Sequence, residues 1–174
     1  EVRLLEEAIG WAPKRHEGVP STLLGFLATL GQKAPHGGPF DYKSCETDVL
    51  GFVIQGATGR HAAEVMSERL WKPMGAEYDA HVGVDSVGGG MFDGGVSAAV
   101  RDLARFGQLF VNRGLALDGV SVIPESWVDD TFAGGPDSRA AFETSPEPTL
   151  MPGGMYRNGF WFPGASGDTM LALG

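Results

Sequence analysis

The sequence predicts an α+β fold, helical over its first part and finishing in strands of an incomplete antiparallel sheet. Two observations carry that reading. Apolar residues recur at helical spacing in successive segments between residues 21 and 114. The tail then changes character. Residues 156–162 form an aromatic-rich run between glycine turns, and residues 169–173 form a short apolar run; both read as strands. That last run reaches the end of the chain at Gly174, so the sheet is expected to lack strands. The 174 residues amount to one domain or a large part of one.

Each element has its own local signal. Residues 21–30 place Leu23, Leu24, Leu27 and Leu30 on one helical face. Ser44 is a favoured N-cap for the next helix, in which Val49, Leu50, Val53, Ile54 and Ala57 repeat at helical spacing and Gly59 supplies the stop. A third helix is expected over 61–70, with Ala62, Val65, Met66 and Leu70 inward and Pro73 as the terminator. Ser97 is expected to cap a fourth, whose Val100, Leu103, Phe106, Gly107 and Phe110 face the core before Gly114 closes it. Pro124 suits the first turn of a short helix through Trp127 and Val128. The glycine clusters at 37–38, 88–95, 134–135 and 153–154 read as loops.

Composition removes several function classes. A formal net charge of −9 is the opposite of a nucleic-acid footprint and fits solubility. No apolar run approaches the roughly 20 residues of a membrane span. Cys45 is the sole cysteine, so no internal disulfide forms. This fits a reducing compartment, yet exported proteins also lack disulfides, and the compartment stays open. No signal peptide is visible; the chain starts at Glu1 without a methionine, so this says little about the parent gene.

The catalytic motifs that are missing narrow the chemistry. His16, His36, His61 and His81 never pair at metal-ligand spacing. Phosphate-loop and dinucleotide fingerprints are absent too, so no cofactor is expected. No serine has a lysine three residues on. Ser97 lies in Gly95-Val96-Ser97-Ala98-Ala99, which lacks the last glycine of a nucleophile elbow; a helix cap is the better reading. Cys45 reads as a small buried residue at a helix start rather than a nucleophile.

One set of motifs is present. Tyr42-Lys43-Ser44 enters a helix that continues as Leu50-Gly51-Phe52-Val53-Ile54-Gln55-Gly56-Ala57-Thr58-Gly59. Leu70-Trp71-Lys72-Pro73-Met74-Gly75 follows, then Gly94-Gly95-Val96-Ser97-Ala98-Ala99-Val100-Arg101-Asp102-Leu103-Ala104-Arg105-Phe106-Gly107, then Val122-Ile123-Pro124-Glu125-Ser126-Trp127. In wording and order these resemble the Tyr-x-Asn/Ser box, the P-L-G-M segment, the D-L-A-R-F segment and a late helix of the penicillin-binding-protein and class C β-lactamase superfamily. Ser44-Cys45-Glu46-Thr47-Asp48-Val49-Leu50-Gly51, Gly134-Gly135-Pro136-Asp137-Ser138 and Pro152-Gly153-Gly154-Met155-Tyr156-Arg157 are similar to the branch holding 6-aminohexanoate-dimer hydrolases and related esterases.

The resemblance implies a partial β-lactamase/transpeptidase-like fold, with residues 1–174 an internal portion of one hydrolase domain. It implies an amide or ester substrate and acyl-serine chemistry. In that scheme Tyr42 passes the serine proton to the leaving group. A tyrosine ionises at about 10, so the family's S-x-x-K lysine is its natural electrostatic partner. Lys43 is expected to point away from Tyr42 along an extended strand. The S-x-x-K serine and lysine, and the K-T-G or H-x-G strand box that helps bind the oxyanion, are expected outside this polypeptide. Asp93 is a candidate wall of the substrate cleft or a turn residue. Tyr156 and Trp161 are candidates to line an apolar pocket or to pack the core. The competing function is a non-catalytic binding or cell-wall-associated module that keeps the fold and has lost the nucleophile.

Overall fold

The computed structural model describes residues 2–145, 149 and 151–172. Its helices are α1 (Val2–Ile9), α2 (Leu23–Leu27), α3 (Ser44–Thr58), α4 (Ala62–Met66), α5 (Val100–Val111), α6 (Glu125–Ala133) and α7 (Ser138–Glu143). Its strands are β1 (His81–Val82), β2 (Val96–Ser97), β3 (Met155–Arg157) and β4 (Phe160–Phe162). The chain divides into two compact units, Glu1–Gly31 with Lys43–Gly107, and Gln32–Tyr42 with Gln108–Gly174.

In the first unit, Leu5, Ala8 and Ile9 of α1, Leu23 and Phe26 of α2, Cys45 of α3 and Met91 form one buried cluster. Helix α1 has no counterpart among the expected elements. Helix α2 is a single turn where residues 21–30 were expected to be helical: Thr22 caps it through its side chain on the Gly25 N–H. With so short a helix the apolar phase is lost, and Leu24 and Leu30 face outward. Helix α3 starts where expected, but its cap position is Lys43, with no side-chain cap bond, and Gly59 closes it in the left-handed conformation.

The apolar repeat of α3 has a different fate from a core face. Cys45, Asp48 and Gly51 are its buried residues, whereas Val49, Leu50, Val53 and Ile54 are 42, 59, 57 and 40% exposed. Gly51 is required by contact: a Cβ there would lie 2.5 Å from the Phe92 ring. Among the described residues the helix therefore buries its Cys45, Asp48 and Gly51 side and leaves the apolar repeat exposed.

Helix α4 runs into a wider turn at Ser67–Trp71, where the Lys72 N–H reaches back five residues to the Ser67 carbonyl. Of the residues expected inward there, Ala62 is buried and Val65, Met66 and Leu70 are half-buried. Ser97 is not a helix cap; it belongs to β2, paired with His81 of β1. The cap role falls to Ala99, whose carbonyl accepts from Asp102 and Leu103 N–H groups. This rephases α5, so that Asp102 and Leu109 are buried while Val100 and Leu103 are exposed. Phe110 is buried as expected, and the Gly114 N–H closes the helix end on the Leu109 carbonyl at 2.6 Å.

In the second unit, Val128 and Thr131 of α6, Phe142 of α7, and Met155, Phe160 and Phe162 of the hairpin are buried. Pro124 stands at the cap position of α6. The run 156–162 is two strands rather than one. Strands β3 and β4 pair antiparallel, Tyr156 opposite Trp161, around Asn158 and Gly159, both at positive φ. That is the two-residue turn that Asn-Gly favours. Arg157 grips Asp130 of α6 through two hydrogen bonds of 3.0 and 2.8 Å, and Asn158 adds bonds to Asp130 and Thr131. The apolar run 169–173 contributes one bridge, Trp161 to Leu171; Leu173 and Gly174 lie outside the described residues. The architecture is a partial α+β fold whose strands form small antiparallel sheets.

Candidate active site

Tyr42 ends the segment that precedes α3, and the residue is 38% exposed. The segment is held by the Phe40 N–H on the Ala141 carbonyl at 2.9 Å. Tyr42 stacks on Trp161, with centroids 5.5 Å apart and planes 29° apart, and meets Tyr156 edge-on at 6.0 Å. Tyr156 and Trp161 are themselves edge-on at 5.0 Å across the hairpin register.

Phe40 sits behind these rings. It lies 4.8 Å from Tyr156, 5.6 Å from Trp161 and 5.6 Å from Phe142. Sequence reasoning did not single out Phe40; its signal was its place two residues before Tyr42 in the same box. Two backbone hydrogen bonds with Leu171, 2.9 and 2.8 Å long, hold the Trp161 main chain. Burial, with Tyr42 adding to it, holds the Tyr156 phenol above the ordinary tyrosine range, so Tyr156 stays a neutral phenol at neutral pH.

Of the sequence candidates, Tyr42, Tyr156 and Trp161 thus come together in one aromatic cluster. Asp93 belongs to the other compact unit. It is half-buried in loop 88–95, and its N–H donates to Asp48 Oδ1 at 3.1 Å. Burial raises its carboxyl above the usual range, and its Oδ1 is buried without a hydrogen-bond partner. Lys43 has the extended backbone expected of it, φ −138° and ψ 101°.

The beta-lactamase family profile matches residues 3–171, and the chain belongs to that family. It is 35% identical over its full length to the 6-aminohexanoate-dimer hydrolase of Paenarthrobacter ureafaciens, of which it spans 43%. A solved Bacillus anthracis structure, provisionally named as a 6-aminohexanoate-dimer hydrolase, superposes with a TM-score of 0.79 at 29% identity over 92% of this chain and 40% of that one. The superfamily and the branch read from the motifs agree with these relatives.

Proposed function

We propose that this chain is an internal portion of a serine hydrolase of linear amides or esters, and that Tyr42 is its proton-transfer residue. The observation that carries the reading is the half-exposed Tyr42 ring, set at the entry to α3 and braced by Trp161 and Tyr156, within a family match over residues 3–171. A serine and a lysine supplied by the parent polypeptide outside this chain complete the machinery. The serine oxygen attacks the acyl carbon, and the serine proton passes by way of the Tyr42 hydroxyl to the departing nitrogen or oxygen. Water then cleaves the acyl-serine. Asp93, Tyr156 and Trp161 are the substrate-binding residues of this reading. The two rings present an apolar wall of the kind that receives a methylene chain.

In the parent protein, Tyr42→Phe keeps the ring and its packing, so stability changes by about 1 kcal/mol or less. It lowers kcat and kcat/KM together by about 10²–10⁴-fold, the range of a positioned proton-transfer group. Assays on a short ω-amino amide, an acyl ester and penicillin measure this, with the linear substrates preferred over the β-lactam. Retention of more than about a third of wild-type kcat/KM in Tyr42→Phe contradicts the assignment. The 174-residue chain alone gives no turnover of nitrophenyl esters above a heat-killed control, because it holds no Ser-x-x-Lys pair.

A further inference from the structure

Residues 32–42 form neither helix nor strand, yet they carry Tyr42, the residue to which the proposed chemistry assigns the proton. An irregular segment has no ladder of its own to fix a side chain, so the precision of Tyr42 depends on what the segment is fastened to. The Lys33–Asp41 ion pair, 2.6 Å long, joins two residues of the same segment, both of them exposed. A pair so placed is screened by water and salt and contributes little.

Phe40 is the fastening. Its N–H donates to the Ala141 carbonyl of α7 at 2.9 Å. Its half-buried ring stacks on Phe142 of the same helix, with centroids 5.6 Å apart and planes 30° apart, and Phe142 is buried. On the hairpin the ring meets Tyr156 at 4.8 Å and Trp161 edge-on at 5.6 Å. Those are the two rings on which Tyr42 rests. Residues two apart in an extended stretch share a side, and the common partners show that Phe40 and Tyr42 do. The surfaces they land on are held independently of the segment. Phe142 meets Trp161 at 6.1 Å, β3 and β4 pair with each other, and Arg157 ties β3 to Asp130 of α6. The hairpin and α7 are thus the fixed body, and segment 32–42 is the part that Phe40 docks onto it.

We propose that Phe40 is the positioning residue for Tyr42: its ring anchors the segment on α7 and the hairpin, and so sets where the phenol stands. The inference rests on the reading of Tyr42 as the proton-transfer residue. Phe40 needs no contact with substrate for this role. A reacting group displaced by about 1 Å loses about 10²-fold in rate, so a side chain that governs the main chain two residues away governs turnover. Removing the ring frees the segment while the hairpin keeps its own bonds. Tyr156 and Trp161, the substrate-binding rings of the proposed function, then stay in place. The loss therefore falls on kcat and leaves KM nearly unchanged.

The test is run on the parent polypeptide, with Phe40→Leu, Tyr42→Phe and the double variant assayed on a linear amide. Leucine fills much of the space against Phe142 and lacks the ring. Phe40→Leu is expected to lower kcat by about 10–10²-fold, with KM within about threefold of wild type. In the Tyr42→Phe background the same change is expected to cost no more than about twofold, because residues acting through one group are not additive. If Tyr42→Phe is impaired and Phe40→Leu costs the same in both backgrounds, or if Phe40→Leu is as fast as wild type, the proposal is overturned. Phe132, which meets Phe162 edge-on at 5.6 Å, supplies the control. Phe132→Leu is expected to lower the thermal midpoint and keep turnover per folded molecule; a kcat loss matching that of Phe40→Leu overturns the proposal, since packing alone then accounts for both. If Tyr42→Phe is itself as fast as wild type, the proton-transfer reading falls, and a crystal structure of Phe40→Leu decides alone. A Tyr42 ring still stacked on Trp161 overturns the anchoring, and a displaced ring supports it. Should Phe40→Leu not fold, Phe40→Met, with a longer and more adaptable side chain, takes its place in the same cycle.

Discussion

The surroundings of Tyr42 and those of Asp102 show two ways of using side chains in one chain. Around Tyr42, rings meet rings at centroid distances between 4.8 and 6.0 Å, and the residue remains more than a third exposed. Around Asp102, a carboxylate with no exposed surface takes the Glu77 N–H at 2.8 Å, the Tyr78 N–H at 3.1 Å and Arg105 at 3.1 Å. Arg105 and Arg101 both reach on to Glu77. The Glu77 N–H, more than its burial penalises it, holds the Asp102 carboxyl below the usual range, with Tyr78 and Arg105 adding to the effect. The difference separates a group whose bonding is completed by its own chain from one that presents an edge outward. The first kind holds the fold; the second is available for chemistry.

That contrast can be broken by substitution. The largest effect on stability belongs to Asp102→Ala in the parent protein, which strands two backbone donors and an arginine cluster. Its thermal midpoint falls more than that of any aromatic-cluster variant, while turnover per folded molecule is kept. Because the Asp102 carboxyl is depressed in the folded chain, its contribution is present above the unfolded value of about 4 and is lost as pH falls. Asp102→Ala accordingly flattens the acid side of the stability profile, which calorimetry over pH measures. A smaller effect is expected for Trp161→Leu. It removes the stack on Tyr42, an interaction of about 0.5–1.5 kcal/mol, and raises KM on a linear amide by up to about tenfold, with a minor change in midpoint. A Trp161→Leu variant that unfolds as readily as Asp102→Ala would erase the distinction between the regions.

Much of this organisation was legible beforehand. The Tyr42-Lys43-Ser44 box marked both the start of α3 and a residue of the ring cluster. Gly51 was visible as a motif glycine, but the reason for it was not, because Phe92 comes from a loop whose path no local pattern specifies. Spacing found the apolar repeat of α3 without revealing that the buried side is that of Cys45, Asp48 and Gly51. Ser97 has the chemistry of a cap, and pairing with His81 overrode that preference. The hairpin was missed inside 156–162 although Asn158-Gly159 is a strong turn signal, since the aromatic run was read through it. The burial of Asp48 and Asp102 left no trace in composition, for a carboxylate becomes core only when distant backbone donors converge on it.

The central claim is that the Tyr42 hydroxyl delivers a proton to the leaving group. An amine must be protonated to depart, whereas a nitrophenolate leaves readily without one. The direct measurement is the loss in kcat/KM caused by Tyr42→Phe in the parent enzyme, on a linear amide and on a nitrophenyl ester of the same acyl group. The account predicts a loss on the amide at least about tenfold greater than on the ester, within the general-acid range. Equal losses on the two substrates would contradict it.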